Sequence, residues 1–484
     1  MAKKLKQEKY LNQEVKNQNS VKIKAPIVEA LKTAYENPTY QFHIPGHTKG
    51  KAIFKDFRKL IGEKALNVDT TDEFDNLGTL HPATGPIKEA QELAAEAFGA
   101  KKTFFLLNGS TAGNLALAMA LTKKGDKVIV NRNCHRSVLT GMIISGAEPI
   151  WICPNRIEDW SIWGNTDAAQ IEELINKNPD VSMVWITNPT YEGVVSDIKA
   201  ISIVCKKHNI PLLVDEAHGC LWNFNKHLPE TALKLGADAV VHSLHKTGGS
   251  MSQSSMLHIS KDSCLNVEAV EKALKLLHTT SPSLMLLASL DAARANLQSK
   301  NGQILLERAV KNAKYLRTRL DSIQGLHQLK GDFGYKTDVT KVFIRIDGLS
   351  GKRLESILEI DFGIEVESAS DIGVLILCNI GNKHSDFKYL ADCLEKIAAT
   401  NYQDIYYLEK RKHMPMLEPQ IKMSLREAFY AEKETIPKSE AIGRISAEVV
   451  AECPPGISIL LPGELITEEH LPYLNDYETL EVVK

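Results

Sequence analysis

The sequence predicts an α/β protein built on a mostly parallel sheet, and three observations carry that prediction. Short apolar runs of strand length recur at residues 103–107, 127–130, 149–153, 182–186, 211–214, 239–242 and 255–259, separated by stretches of helical length. Alternation at this spacing lets helices cover both faces of one sheet. Polar or glycine-containing turns follow the carboxyl ends of several runs, the edge at which open α/β sheets hold their ligands. A chain of 484 residues with 43% hydrophobic content also has the material for a large core and for more than one domain.

Composition narrows the partners. Lys plus Arg (58) and Asp plus Glu (60) nearly cancel, which gives no electrostatic case for nucleic acid or an anionic membrane. The eight cysteines are scattered singly, without Cys-x-x-Cys or a His/Cys cluster, so no metal site is expected and the thiols are expected to be reduced, as in a cytoplasmic protein. No apolar run has spanning length and no signal-peptide core follows the amino terminus. Residues 1–26 are polar and lysine-rich (Lys3, Lys4, Lys6, Lys9, Lys16, Lys22 and Lys24 against Glu8 and Glu14), an arm with little to bury and without the aromatic interleaving of a nucleic-acid binder.

Taken in order, residues 27–36 read as a short amphipathic helix, followed by a loop at 42–50 that carries His43 and His47. Residues 69–85 are turn-rich, with Asp69, Asp72, Glu73 and Asp75 as an acidic cluster that suits either a cationic substrate or a solvated loop. A helix is expected over 86–98, with Pro86 at its first position. The run 103–107 then leads into Asn108-Gly109-Ser110-Thr111, which opens a helix to Leu121. Such a turn makes an anion cradle from backbone N–H groups and the hydroxyls of Ser110 and Thr111, or a plain Ser/Thr helix cap. Neither a dinucleotide fingerprint nor a Walker loop is present. Helices are expected over 167–176, 197–208, 266–278, 284–298 and 305–323. A smaller unit with strands at 341–346, 364–367 and 374–378 and a helix at 386–399 should follow, then a charged linker at 403–419 and a tail.

The chemistry concentrates between Asp215 and Lys246. The run 211–214 delivers Asp215-Glu216-Ala217-His218, and 239–242 delivers Ser243-Leu244-His245-Lys246. A lysine can form a Schiff base with an aldehyde cofactor, and a lysine with an aspartate partner for the pyridine nitrogen is the signature of pyridoxal 5'-phosphate (PLP). Each residue alone also reads as an ordinary strand-end residue.

The ordered motifs His43-Ile44-Pro45-Gly46-His47, Asn108-Gly109-Ser110-Thr111, Asn133-Cys134-His135-Arg136-Ser137, Asp215-Glu216-Ala217-His218, Ser243-Leu244-His245-Lys246, Gly443-Arg444-Ile445-Ser446-Ala447-Glu448, Pro454-Pro455-Gly456 and Pro462-Gly463-Glu464 cover nearly everything after residue 40. Together they resemble the PLP-dependent ornithine/lysine/arginine decarboxylase family. The resemblance implies a fold-type-I large domain (41–300) after an N-terminal arm and helix (1–40), then a small α/β domain (301–402) and a C-terminal decarboxylase domain (403–484). It further implies that Lys246 carries the cofactor, Asp215 faces the ring nitrogen, and His135 and Ala217 pack its two faces. Ser110, Thr111, Ser243 and His245 would hold the phosphate, and His218 would be a further cofactor contact. Lys246, His245 and His135 are the expected catalytic residues, with His245 or the freed Lys246 returning the proton. Thr190, in the turn before the cofactor aspartate, is a further contact candidate.

The shorter family members, which this chain looks most like, are commonly arginine decarboxylases. The resemblance therefore implies conversion of arginine to agmatine and CO2, as in polyamine biosynthesis, with lysine or ornithine as alternatives and a fold-type-I aminotransferase or lyase after them. It implies at least a homodimer acting on a small basic amino acid, with no nucleic-acid or membrane partner. Two positions stand apart: Cys453 lies where relatives commonly have an aromatic residue before Pro-Pro-Gly, and His218 where some larger relatives have tryptophan and shorter ones resemble this chain.

Overall fold

The computed structural model describes residues 23–37, 40–71, 76–331, 335–400, 417–452 and 456–484. Most of the expected amino-terminal arm, the acidic residues Asp72, Glu73 and Asp75, most of the linker and Cys453 lie outside these residues.

Seven strands form the central sheet: β1 (Lys102–Leu106), β2 (Lys127–Asn131), β3 (Glu148–Ile152), β4 (Val181–Thr187), β5 (Leu212–Asp215), β6 (Ala239–His242) and β7 (Ser255–Ile259). Their order is β1-β7-β6-β5-β4-β2-β3. Only β7 runs against its neighbours, and the other pairings are parallel, so the expected mostly parallel sheet is present.

The strands read as unbroken apolar runs because both faces are covered. Leu212 and Val214 enter one core with Val184, Ile186 and Val240, whereas the intervening Leu213 enters the other with Met183, Trp185 and Val241. This is the period-two alternation of a strand with no solvent side. Helices including Gly85–Phe98, Ile198–Lys207 and Leu284–Gln298 cover the first face. Gly109–Leu121, Arg136–Ser145 and Val267–Leu277 cover the second. The approach there is close enough that a Cβ on Gly113 would lie 2.8 Å from Leu106 Cδ1.

A second, antiparallel sheet contains β8 (Leu326–Gln328), β9 (Lys341–Ile346), β10 (Ser368–Ala369) and β11 (Val374–Leu377) in the order β8-β9-β11-β10. Helices Lys300–Asp321, Gly351–Phe362 and His384–Ala399 pack on it. Two sequence expectations need correction here. The strand expected at 364–367 is instead the two-residue β10, because Gly363 ends the preceding helix in a left-handed conformation (φ 63°) and the Ile364 N–H caps it, donating to the Leu358 carbonyl at 2.8 Å. The long helix expected from 305 begins at Lys300, because the Ser299 hydroxyl accepts from the Gly302 N–H at 3.0 Å and starts it a turn earlier.

The tail pairs Lys433–Pro437 with Thr479–Val483 and Val450–Glu452 with Ile457–Leu460, around its own apolar cluster. It is fastened to the body by Arg132, 2% exposed, whose guanidinium donates to the carbonyls of Ser458 (2.7 Å) and Ile459 (3.0 Å). Fully buried Glu464 lies 3.9 Å from the same guanidinium. Arg426 donates to the carbonyls of Ile143 and Ile144 at 2.7 and 2.6 Å. Other tail charges stay within the tail: Arg444 pairs with Glu434, Glu427 with Ser424, and Glu448 accepts from the Glu481 N–H. Among the described residues no helix is long and apolar enough to cross a membrane.

Candidate active site

A cavity of about 190 Å³ opens at the carboxyl ends of the central strands. Nine of the residues singled out by sequence line it: Ser110, Thr111, His135, Asp215, Ala217, His218, Ser243, His245 and Lys246. The fold explains the convergence. Asp215 ends β5, Ser243 follows β6, Ser110 and Thr111 open the helix after β1, and His135 lies beyond β2. The turn from Asp215 to His218 is held from beneath by Glu216, whose buried carboxylate accepts from Thr231 Oγ1 (2.6 Å) and the Ala232 N–H (2.8 Å) and meets His242 Nε2 at 2.7 Å.

Asp215, only 3% exposed, accepts from Asn114 Nδ2 at 3.0 Å and from the Ala217 N–H at 3.2 Å. The same Asn114 amide donates to Ser137 Oγ at 2.9 Å. That leaves the Ser137 hydroxyl proton for His135 Nδ1, 2.7 Å away, which also accepts from the Ser137 N–H at 3.2 Å. His135 therefore carries its proton on Nε2, and burial lowers its affinity for a second proton, with Asp215 partly opposing.

Ser110 Oγ lies 2.7 Å from Ser243 Oγ and 3.3 Å from Ser255 Oγ. The helix that Ser110 opens is capped by Asn108 without a side-chain bond, so the two hydroxyls face each other across the cavity floor and the plain Ser/Thr cap is not formed. His245 Nδ1 lies 2.8 Å from the Ser254 carbonyl, which can only accept, so its proton sits on Nδ1. Burial again pushes this imidazole down.

Lys246 Nζ lies 2.9 Å from His218 Nε2. On the other side of the same ring, Lys341 Nζ lies 2.8 Å from Nδ1 and donates to the Tyr191 carbonyl at 2.9 Å. Lys341 is 1% exposed, and burial pushes it down to about 7.

Sequence reasoning did not assign a site role to Gly109, Asn133, Thr187, Pro189, Tyr191 or Ile457, which also line the cavity. Thr190 does not line it; its hydroxyl accepts from the Val194 N–H at 3.1 Å and closes the turn. His43 and His47 lie outside the lining, with His47 Nε2 3.1 Å from Asp69. Ile457 arrives from the tail, where the Arg136 N–H donates to the Gly456 carbonyl at 2.9 Å and His135 bridges Ile457.

The donor set suits a phosphorylated pyridine aldehyde: hydroxyls at a helix start, a buried carboxylate and an amine at one cavity. Two lining residues, Asn133 and Thr187, also hold buried side-chain oxygens without a partner among the described residues, which a polar ligand would satisfy.

Comparison with known proteins agrees with this chemistry. Residues 25–342 match the family described as Orn/Lys/Arg decarboxylase, major domain, and residues 407–482 match its C-terminal domain. The chain is 39% identical over 457 residues to the arginine decarboxylase of Bacillus subtilis, covering 93% of this chain and 92% of that one. It is 26% identical to a lysine decarboxylase of Pseudomonas aeruginosa, covering 94% of this chain and 76% of that one. The solved structure of lysine decarboxylase A from that organism superposes with a TM-score of 0.84 at 22% identity, over 95% of this chain and 80% of that one. With fold-type-I architecture and both decarboxylase regions matched in sequence, the chain belongs to the Orn/Lys/Arg decarboxylase family.

Proposed function

We propose that the protein removes CO2 from L-arginine to give agmatine, with PLP carried on Lys246. The observation that supports this most is the convergence of Lys246 and Asp215, from neighbouring strands, on one cavity with hydroxyls and a helix start at its floor. Arginine is preferred to lysine because the arginine-acting relative is 39% identical and the lysine-acting one 26%. When bound, PLP supplies a sink for the electron pair released at the substrate α-carbon.

The chain's own residues divide the remaining work. Asp215, held as an acceptor by Asn114 and the Ala217 N–H, would keep a proton on the ring nitrogen. His135, locked by Ser137, would press on one ring face, and Ala217 leaves room at the other. Ser110, Thr111 and Ser243 would hold the phosphate through their hydroxyls, and His245, whose one proton goes to Ser254, would join them only as an imidazolium. A dry cavity favours departure of the carboxylate as neutral CO2, so a tight cationic clamp on that carboxylate would slow the step. With its one proton pointed at Ser254, a neutral His245 has none to return to the α-carbon. Lys246 is the better acid for that step.

We further propose a cytoplasmic homodimer or larger homo-oligomer. Tyr40, Phe42, Phe54 and Leu60 are large apolar side chains left exposed, which supports burial against a second copy.

The direct test is CO2 release by the PLP-supplied protein from arginine, lysine and ornithine in parallel. Arginine alone, with one agmatine per CO2, is the expected result. Release from lysine or ornithine instead would overturn the substrate, and a keto acid without CO2 would overturn the reaction.

A further inference from the structure

The two amines on either side of His218 pose a proton-counting problem. A neutral imidazole has one N–H and one bare nitrogen, yet both nitrogens lie within 3 Å of a lysine amine (2.9 Å for Lys246, 2.8 Å for Lys341). Only two arrangements of a neutral ring satisfy both contacts. In the first, Lys341 donates to Nδ1 and the Nε2 proton points at the lone pair of Lys246, which is then a neutral amine. In the second, Lys246 donates to Nε2 and the Nδ1 proton points at a neutral Lys341. An imidazolium would require both amines to be neutral.

We propose that Lys341 is a positioning residue that acts through His218 on Lys246, holding it as a neutral amine and supplying the proton it later returns to the substrate carbon. The transfer balances: Lys341 Nζ gives a proton to Nδ1, the ring gives its Nε2 proton to Lys246, and one arrangement becomes the other. No atom need travel beyond these two contacts. The proposal rests on the assignment of Lys246 as the cofactor-bearing amine.

The site is built for such a lysine. Gly193 has φ 99°, and a Cβ there would lie 2.9 Å from Lys341 Cβ and Cδ, so the backbone yields space to the lysine stem. The Tyr191 carbonyl fixes the amine at 2.9 Å. Burial brings Lys341 to about 7, and Lys246 pushes it the same way, while Asp338, Glu367 and Glu192 work to retain its charge. His218 is driven well below its usual range by burial and then by Lys246, Lys341, His245 and His135, which disfavours the imidazolium. The Asp338 carboxylate is already engaged, accepting from Trp222 Nε1 and the Thr340 N–H at 2.8 Å each, so it supports the Lys341 amine through charge.

The test reads the amine before any turnover. In cofactor-free protein, acetylation of Lys246 by acetic anhydride is followed against pH by mass spectrometry of its peptide. Lys341→Met should raise the pH of half-labelling by about one unit, because without a donor at Nδ1 the ring can carry its proton there and accept from a charged Lys246. Lys341→Arg keeps the charge and the donor and should leave the labelling pH near wild type, yet slow the return of the proton, because a guanidinium does not release one. His218→Gln interrupts the chain from its middle and should raise the labelling pH as well. Adding Lys341→Met to it should then change little. An unchanged labelling pH in Lys341→Met, or full additivity with His218→Gln, overturns the proposal. Borohydride fixation of PLP on a peptide other than that of Lys246 overturns the function assigned to Lys246 instead.

Discussion

Replacing Arg132 tests whether the tail is part of the active site or an appendage. Its guanidinium is buried, donates to the carbonyls of Ser458 and Ile459 and lies beside buried Glu464. Arg132→Met keeps much of the apolar volume but removes two charge-assisted bonds, each worth about 1.5–3 kcal/mol. Glu464 keeps the Leu461 N–H at 3.0 Å and His470 at 3.3 Å, so its carboxylate is under-compensated rather than abandoned. The expected loss is about 3–5 kcal/mol, in the range for breaking a buried pair from one side. Urea unfolding followed by intrinsic fluorescence, with limited proteolysis of the tail at low urea, would measure it. Adding Glu464→Gln should recover part of the loss, because the uncompensated charge disappears. A change below about 1 kcal/mol, with no new cleavage in the tail, would refute the reasoning.

Other consequences follow from single positions. Asp215→Asn cannot hold a proton on a ring nitrogen by charge and should lower kcat by about 100-fold or more while secondary structure stays intact, as read by steady-state assay and circular dichroism. Gly113→Ala, with its Cβ 2.8 Å from Leu106 Cδ1 and 3.3 Å from Val241 Cγ1, should cost about 1–3 kcal/mol in urea unfolding. His278 lies 2.7 Å from His81, and burial lowers it from its ordinary 6.5 to about 4. The unfolded chain therefore binds the extra proton first as pH falls, so stability should drop by about 3 kcal/mol between pH 6.5 and 4. His278→Asn should flatten that part of the pH profile.

The central sheet was legible because its strands are buried on both faces and stand out as apolar runs, each followed by a polar turn. The residues of the cavity were legible where they sit at strand ends within recognisable motifs, as Asp215 and Lys246 do. Local pattern failed where a local competitor won. Ile364 and Val366 alternate as a strand would, but the helix cap at Gly363 takes the backbone instead. It also failed where distant segments meet. Lys341 reads as the polar start of a strand, and only the approach of Gly193 and His218 shows its amine buried beside the site. Ile457 reaches the cavity through contacts with His135 and Arg136 that span more than 300 residues of sequence, and no periodicity encodes such a meeting.

That reach has a consequence for how the protein is made. The sheet, the short helix bearing Lys246 and the hydroxyl floor are all synthesised before the segment that supplies Ile457 as a wall. Domains generally fold in the order in which they are made. A nascent chain can thus assemble a nearly complete cavity that stays open on one side until the tail seats on Arg132. Premature termination after the second sheet would leave a body without Ile457 at its pocket, a fragment with the cofactor residues but not the shelter their chemistry requires.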